Sequence, residues 1–321
     1  MYSAPPMRAF RYLTAGRGSV PHLGEAPAPP LAPGELMVRV TCASLNPVDW
    51  KIASGSFRFL VKGGLPRTMG SDFAGEVVEV GAGVTGWSPG DPVMGFIDPF
   101  QRPNGTFAEL VPVPAGFAAR RPASIDDRLG AALPCVGVTA VALCDLAEVR
   151  RGARVLVNGA SGGVGHLAVQ VASARGALVT AVASEPRRGF VMGLGAAEFI
   201  DYRSSPITAW PGGFDAVLDC VPNLARRHHR RLLRRGGHYA STLPDAATYT
   251  IDPLLNRLGP VRRHAVMLQP SESAMRELVT LVERGRLRCE IEGEFALEDA
   301  ARAIELSRSG RVAGKLLIRI A

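Results

Sequence analysis

The sequence of 321 residues lacks several features that would each point to a particular class of protein. It has no uncharged apolar run of about 18 residues, so we expect no membrane-spanning segment. Its first residues, Met1 to Arg8, lack the apolar core of a signal peptide. Its five cysteines form no Cys-x-x-Cys pair, which favours reduced thiols and a cytoplasmic location.

Lysine is scarce although the chain is basic. The 37 lysine and arginine residues against 29 acidic ones give a formal net charge of +8, and arginine supplies most of it. Such a balance is typical of proteins that contact nucleic acid or anionic membranes. The one dense basic cluster, Arg226–Arg231 with Arg234 and Arg235, instead fits the exposed face of a helix whose leucines point inward: Leu224, Leu232 and Leu233. We therefore expect no nucleic-acid partner and leave open a weak contact with an anionic surface.

A glycine cluster lies between two apolar stretches in the middle of the chain. A strand from Val155 precedes it, an apolar helix follows, and a second strand, residues 178–183, completes a βαβ unit. Glycines let the backbone approach a pyrophosphate, and a helix N-terminus offers it unpaired N–H groups. The expected cofactor contacts are Ser161, Gly162, Gly163, Val164 and Gly165. Because Ala160 stands where the fingerprint has its first glycine, a glycine-rich turn without a ligand is the alternative.

The pattern of predicted strands and helices changes near residue 123. Short strands separated by glycine and proline fill residues 1–122, which predicts an irregular β-rich domain. Residues 123–268 alternate strands and helices, as in a doubly wound parallel sheet. We expect residues 269–321 to return to the first domain, which otherwise lacks helices to cover its sheet. The predicted fold class is therefore α/β, with a β-rich domain and a Rossmann domain.

Motifs along nearly the whole chain after Met7 resemble the zinc-free quinone oxidoreductase branch of the medium-chain dehydrogenase/reductase superfamily. They are Asn46-Pro-Val-Asp-Trp-Lys-Ile52, Gly70-Ser-Asp-Phe-Ala-Gly-Glu76, Gly90-Asp-Pro-Val-Met94, Gly105-Thr-Phe-Ala-Glu109, Ala160-Ser-Gly-Gly-Val-Gly-His166 and Gly314-Lys315. The first is similar to the plant quinone oxidoreductase-like and 2-alkenal reductase proteins. The resemblance implies a GroES-like catalytic domain before the Rossmann domain. It also implies a homodimer, for which residues 263–268 are the candidate contact.

The residues at the expected metal position argue against zinc. In zinc dehydrogenases of this superfamily, a cysteine occupies the place of Asn46, and a His-Glu pair occupies the places of Ser71 and Asp72. Asparagine and serine are poor zinc ligands. The four closely spaced cysteines of a structural zinc lobe are also missing. We expect no metal, and without a Lewis acid the reduction of an already polarised acceptor is favoured over alcohol oxidation.

The choice between NADPH and NADH depends on the residues after the strand at 178–183. NAD enzymes place an acidic residue there, whereas NADP enzymes offer a small polar residue and arginines. Ser184, Arg187 and Arg188 favour NADPH, while Glu185 leaves NADH open. The resemblance implies further cofactor contacts at Tyr202, Val138, Thr139, Cys220, Val221, Ser241 and Thr242, and at a C-terminal loop of Arg311, Val312 and Ala313.

The resemblance implies hydride transfer from NADPH to a quinone or to the β-carbon of an α,β-unsaturated carbonyl compound. The charge that develops on the substrate oxygen needs donors, and Asn46 and Lys51 are the candidate catalytic residues. Both are also candidates for contact with the cofactor. Two alternatives stay open: an enoyl-thioester reductase, and a non-enzymatic NADPH-binding protein that contacts nucleic acid or an anionic membrane surface.

The neighbours of the two candidate catalytic residues receive supporting roles. We expect Asp49 and Asp72 to brace the loop, because nothing in the sequence raises the pKa of their carboxyl groups. Trp50, Phe57 and Phe59 are candidates for the wall of an apolar substrate pocket, although aromatic residues in such a region are more often simply core.

Overall fold

The computed structural model describes residues 6–16 and 18–320. The described residues divide into two compact units. The first unit comprises the chain up to Cys135 together with the chain from Ile291, and the second comprises Val136–Glu290. These limits differ from the predicted boundaries after residues 122 and 268, for reasons given below.

Strands and helices occur in both units. The strands are β1 (Met7–Tyr12), β2 (His22–Ala26), β3 (Glu35–Leu45), β4 (Arg67–Thr68), β5 (Asp72–Val80), β6 (Pro92–Phe96), β7 (Leu110–Pro114), β8 (Ala118–Arg120), β9 (Arg154–Asn158), β10 (Leu178–Ala183), β11 (Glu198–Asp201), β12 (Phe214–Asp219), β13 (Leu233–Ser241), β14 (Val261–Ala265), β15 (Ile291–Ala296) and β16 (Lys315–Arg319). The helices are α1 (Pro47–Ala53), α2 (Asp127–Ala132), α3 (Pro134–Leu146), α4 (Gly165–Ala174), α5 (Arg188–Met192), α6 (Arg226–Leu232), α7 (Ala246–Tyr249), α8 (Asp252–Leu258), α9 (Glu272–Glu283) and α10 (Ala300–Arg308). Within residues 6–16 and 18–320, none of the helices has both the length and the apolar character needed to cross a membrane.

The first unit is built around a sheet of mixed strand directions. Its strand order is β15-β16-β3-β5-β6-β8, with β7 also paired to β3, and β2, β1 and β4 form a separate small sheet. Along β3, buried Val38, Val40 and Cys42 alternate with more exposed residues, as the sequence pattern predicts. The last strand, β16, pairs antiparallel with β3, which places the end of the chain in this unit. Helix α10 buries Ala300 and Ala303 against the same core.

The second unit is the predicted doubly wound parallel sheet. Its strand order is β11-β10-β9-β12-β13-β14, and every pair is parallel. The chain moves outward from β9 in one direction through β11, then starts again at β12 on the other side. The strand order therefore reverses between β9 and β12, and ligands of such sheets bind beyond the carboxyl ends of the strands at that point.

Two helices explain why the observed boundaries differ from the predicted ones. Helix α9 belongs to the second unit, because it buries Leu278 there and Glu277 pairs with Arg175 at 3.0 Å. The return to the first unit thus begins at Ile291 rather than at residue 269. Helix α2 remains in the first unit, where the hydroxyl of Thr41 donates to the Asp127 carboxylate at 2.8 Å.

The basic cluster forms helix α6 and the start of β13. The predicted inward leucines are confirmed, since Leu224, Leu232 and Leu233 are all buried. Several of the arginines bind groups within their own unit. Arg226 pairs with Asp245 and Asp252, Arg234 pairs with Asp215, and Arg231 donates to the carbonyls of Ile207 and Trp210. These arginines thus fasten neighbouring loops of the second unit.

Candidate active site

The first unit contains a cluster of buried polar side chains at the place where the sequence predicts catalysis. We call it the Asn46 cluster; its members are Ser44, Asn46, Asp49, Ser71, Asp72 and Lys315. Ser44 is near the end of β3, Asp72 begins β5 and Lys315 begins β16. Because these strands are neighbours in the sheet, residues far apart in sequence meet at one point.

The start of helix α1 fixes the position of Asn46. Asn46 is the N-cap residue, and Pro47 follows it at the first helical position, where a missing N–H costs nothing. The backbone N–H of Asn46 donates to Asp49 Oδ2 at 2.8 Å. A side chain at the third helical position that returns to the N-cap N–H is half of a capping box, so this loop has a defined local structure.

Lys315 determines which way the Asn46 amide points. Its Nζ lies 2.6 Å from Asn46 Oδ1 and 3.3 Å from both Leu45 O and Asp72 Oδ2. An ammonium group only donates hydrogen bonds, so the amide oxygen must face it. The amide nitrogen then donates to Ser71 Oγ at 3.1 Å and to Asp72 Oδ2 at 2.8 Å. Both amide hydrogens of Asn46 are therefore engaged inside the cluster.

Asp72 is the acceptor that joins the elements of the cluster. Besides Asn46 and Lys315, it accepts hydrogen bonds from Ser44 Oγ and from the backbone N–H of Cys135, each at 2.8 Å. A buried carboxylate costs free energy unless it is paired and hydrogen-bonded, and here both conditions are met. This geometry is the bracing role that we expect of Asp72.

Asp49 corrects one expectation about the carboxyl groups. Burial raises the pKa of Asp49 to about 7, and the nearby Asp72 carboxylate acts in the same direction. The hydrogen bond from the Asn46 N–H and the charge of Lys315 oppose the shift without cancelling it. The prediction that nothing raises the pKa of these carboxyl groups is thus wrong for Asp49, because the burial that causes the shift arises only in the folded unit.

The donor set of the Asn46 cluster does not fit zinc. It offers an amide, two hydroxyls and two carboxyls, whereas zinc prefers Cys thiolate and His imidazole. The Lys315 ammonium, 2.6 Å from the amide oxygen, already fills the position of a cation. Across the described part of the chain, no group of three or more His, Cys, Asp and Glu side chains is arranged as a metal site.

Lys51 lies on the same helix as Asp49 but takes no part in the cluster. Its Nζ lies 5.6 Å from the centre of the Trp50 ring, and Trp50 is anchored in turn by a 3.1 Å hydrogen bond to Ser307 Oγ. Of the predicted pocket aromatics, Phe57 packs edge-to-face against Phe100. Phe59 is 87% exposed and lines no wall inside the first unit.

The predicted C-terminal cofactor loop precedes Lys315. Val312 packs against the core of the first unit, and the N–H of Ala313 donates to the Glu292 carboxylate. The N–H of Arg311 donates to Ser309 Oγ at 3.3 Å. The loop is therefore fastened at both ends, directly before the strand that carries Lys315.

In the second unit, the glycine loop follows β9 and opens helix α4. Gly159 has a φ of +74°, so the left-handed turn is at Gly159 and Ala160 needs no glycine. A Cβ on Gly165 would lie 2.0 Å from the carbonyl oxygen of Gly159, which explains why only glycine fits there. Residues 161–164 are half-buried between these two glycines. The irregular fingerprint thus retains the sharp turn and the close packing that a pyrophosphate loop requires.

The predicted adenosine end of the cofactor site is at the ends of β10 and β11. Ser184 follows β10, and the N–H of Tyr202 donates to Ala183 O at 3.3 Å, which places Tyr202 beside the end of β10. Arg188 pairs with Glu185 at 3.3 Å. Glu185, the acidic residue that favours NADH as the cofactor, is thus itself paired with Arg188.

Asp219, which the sequence reasoning missed, organises the point where the strand order reverses. Its carboxylate accepts from Asn158 Nδ2 and from the Tyr239 hydroxyl, each at 2.8 Å, and from the N–H of Val221 at 3.3 Å. Its carbonyl accepts from the N–H of Thr242 at 3.2 Å. Asp219 thereby gathers four predicted contacts at one sheet edge: Cys220, Val221, Ser241 and Thr242. Its position as the last residue of a buried strand was the available signal. Val138 and Thr139 are buried on α3.

Two family models match the chain, one within the first unit and one across the boundary at Ile291. Residues 32–123 match the alcohol dehydrogenase GroES-like domain, and residues 194–318 match the zinc-binding dehydrogenase family. The chain is 31% identical to a chloroplast envelope quinone oxidoreductase homolog of Arabidopsis thaliana, over 97% of this chain and 98% of that protein. It is 32% identical to a segment of a mycocerosic acid synthase-like polyketide synthase of Mycobacterium tuberculosis, over 91% of this chain and 14% of that protein.

Among solved structures, the quinone oxidoreductase from Coxiella burnetii is similar over almost the entire length. It has a TM-score of 0.91 and 31% sequence identity, and the match covers 99% of this chain and 100% of that chain. The similarity extends over both units. The glycine loop and the reversal of strand order are the features that a nicotinamide-dependent oxidoreductase of this fold requires. The chain therefore belongs to the medium-chain dehydrogenase/reductase superfamily, as a quinone oxidoreductase-like member.

Proposed function

We propose that this oxidoreductase transfers hydride from NADPH to a quinone or to an α,β-unsaturated carbonyl compound, without zinc. The observation that carries the proposal is the buried Lys315 ammonium, 2.6 Å from Asn46 Oδ1. It leaves the Asn46 cluster with a cation that donates hydrogen bonds but cannot accept an electron pair. Activation of an alcohol by a Lewis acid is therefore not available there, whereas reduction of a polarised acceptor needs none.

The cofactor edge of the second unit supports NADPH over NADH. Arg188 pairs with Glu185, so this carboxylate is a poor partner for a ribose 2′-hydroxyl. Ser184 and Arg187 are half-buried beside it. A small polar residue with two arginines is the arrangement that accommodates a 2′-phosphate.

The bound nicotinamide supplies the hydride, and the chain supplies position and charge. Both amide hydrogens of Asn46 are engaged inside the cluster. Lys51 is the other candidate donor to the substrate oxygen, and its ammonium has only the Trp50 ring as a neighbour among the contacts in the described residues. We therefore assign charge stabilisation chiefly to Lys51, and to Asn46 the positioning of the start of helix α1, which carries Lys51.

A second candidate function is the reduction of an enoyl thioester. The 32% identity to a segment of a polyketide synthase favours it. The two functions use the same hydride donor. They differ in the acceptor, which is a quinone or an α,β-unsaturated carbonyl compound in the first and an enoyl thioester in the second. They are therefore separated by the choice of acceptor.

We also propose a homodimer formed through the edge of the second unit. Strand β14 pairs only with β13 in the described sheet, so its outer edge is open. Exposed apolar side chains lie on the neighbouring helices α7 and α8 and after β14: Tyr249, Ile251, Leu254, Leu258 and Met267. An apolar patch beside an open strand edge is typical of an interface between copies. The cytoplasmic location and a weak contact with an anionic surface stay predictions.

The first test of the proposed function is turnover, followed by loss of nicotinamide absorbance. We expect oxidation of NADPH with quinones or 2-alkenals, about 10-fold or more faster than with NADH at equal concentrations, because arginines face the 2′-phosphate. A chelator should leave the rate unchanged. Crotonyl-CoA as the preferred acceptor would select the thioester reductase. Ketone or alcohol turnover that the chelator abolishes would contradict the proposal, and NADPH binding without any turnover would favour the non-enzymatic alternative.

The choice between NADPH and NADH can be tested by substituting the two arginines after β10. We expect the double substitution Arg187→Ala with Arg188→Ala to raise KM for NADPH about 10-fold to 100-fold, because a charge-assisted contact to the 2′-phosphate is lost. KM for NADH should change less than about 2-fold. Arg284→Ala, an exposed arginine of the same unit, serves as the matched control. An equal rise of both KM values would place the two arginines away from the 2′-phosphate.

Asp49 makes stability depend on pH. The pKa of Asp49 is raised to about 7 in the folded chain, against an ordinary value of 3.8, so the folded state binds one more proton between these values. Its stabilising contribution is complete below about pH 4 and is lost as the pH rises through 7.

We expect Asp49→Asn to flatten this part of the pH dependence of the unfolding free energy, measured by urea denaturation. Asparagine retains an acceptor for the Asn46 N–H, and its amide remains within reach of Ser71 Oγ, which donates to Asp49 Oδ1 at 3.1 Å in the wild type. The exposed Asp299→Asn should keep the wild-type slope. A wild-type slope in the Asp49 variant would show that Asp49 is not the group that binds the extra proton in the folded state.

The dimer can be tested by light scattering coupled to size exclusion. We expect twice the mass of the chain for the wild type, and a monomer for Leu258→Asp, because a charge on an apolar interface is not solvated. Leu306→Asp, on an exposed position of the first unit, should leave the dimer intact. A wild-type monomer at micromolar concentration would reject this interface.

A further inference from the structure

Lys315 is unusual in this chain because it is a lysine and because it is buried. Only three lysines occur, at positions 51, 62 and 315, against 34 arginines. Lys315 is 2% exposed, and its ion pair with Asp72 is fully enclosed. A buried charge is costly, and a chain so rich in arginine uses lysine at this point. The choice of side chain therefore calls for a geometric reason.

The geometry around the ammonium supplies that reason. Three oxygens surround Nζ: Asn46 Oδ1 at 2.6 Å, and Leu45 O and Asp72 Oδ2 at 3.3 Å. They come from the end of β3, the cap of α1 and the start of β5. Three oxygens around one nitrogen match the three donors of an ammonium group, whereas a guanidinium is planar and presents its donors in a fork.

We propose that Lys315 is a positioning residue: a built-in cation that takes the place of a metal ion and orients Asn46 for the reduction of the acceptor. This rests on the proposed function. Lys315 neutralises Asp72 and gives the Asn46 amide oxygen its donor. Without it, the amide oxygen is buried without a donor, and the amide can turn away from the orientation that Ser71 and Asp72 also require. Lys315 touches no substrate; it acts through Asn46.

A double-mutant cycle separates this role from a merely structural one. We expect Lys315→Met to lower kcat about 10-fold to 100-fold with little change in KM, since misplacement of a positioned group affects the reacting geometry. In the Asn46→Ala background, the same substitution should change kcat less than about 2-fold, because the residue through which it acts is gone. Lys62→Met, at a lysine in an irregular segment of the same unit, should match the wild type.

Equal losses of kcat from Lys315→Met in both backgrounds would overturn the proposal and leave Lys315 as a structural ion-pair partner. Where Lys315→Met does not fold, because Asp72 is left unpaired, the same cycle is run with Asp72→Asn in every member. Removing both charges relieves the unpaired carboxylate, and the dependence on Asn46 should persist.

Two readouts do not depend on turnover. In nitrogen-15 labelled protein, the Asn46 side-chain amide signal, assigned by its loss in Asn46→Ala, should exchange its hydrogens faster in Lys315→Met. After incubation with excess zinc and gel filtration, the wild type should retain less than about 0.1 zinc per chain, since the ammonium fills the site. Retention of one zinc per chain would overturn the proposal that Lys315 takes the place of a metal ion. If no acceptor is reduced, the proposed function fails while these two results still decide the placement of Lys315.

Discussion

The buried ion pair between Lys315 and Asp72 joins the strands of the first unit to the start of helix α1, and the candidate site depends on it. Two charges removed from water are tolerated only where further hydrogen bonds satisfy them. Here Asp72 accepts from Ser44, Asn46 and the Cys135 backbone, and Lys315 donates to the Asn46 amide and to the Leu45 carbonyl. The pair therefore fixes the register of β3, β5 and β16 together with the start of α1. A slip of one residue in any of these strands would move a charged group to the other face of the sheet.

The second unit uses a buried aspartate in a similar way, at the opposite end of a strand. Asp72 begins β5, whereas Asp219 ends β12, and each gathers backbone N–H groups and side-chain donors from neighbouring elements. Asp219 has an amide and a phenol as partners rather than a cation. Close backbone approach at Gly165 fixes the neighbouring glycine loop. In both units, a fully buried carboxylate holds the loop beside it.

What the sequence predicts well is local or periodic. The βαβ unit, the alternation of strands and helices in the doubly wound sheet and the inward leucines beside Arg226–Arg231 follow from patterns within about 30 residues. The partnership of Lys315 with Asn46 joins residues 269 positions apart and arises only from the pairing of β16 with β3. The raised pKa of Asp49 depends on the same burial. Helix α9 has a clear amphipathic pattern. The pattern does not say which of the two hydrophobic cores its apolar face packs against. The salt bridge between Glu277 and Arg175 shows that the helix lies in the second unit.

Charge balance links the structure of the cluster to the chemistry it can offer. Lys315 offsets one carboxylate, Asp72, and the second, Asp49, keeps a proton up to about neutral pH. The cluster is thus close to neutral without a divalent ion, and adding one would leave an excess of positive charge among buried side chains. An ammonium in this position orients hydrogen-bond partners but has no empty orbital with which to acidify an alcohol. This charge balance underlies the proposed hydride delivery to a carbon that its own carbonyl has made electrophilic, with Lys51 as the proposed donor to the oxygen charge.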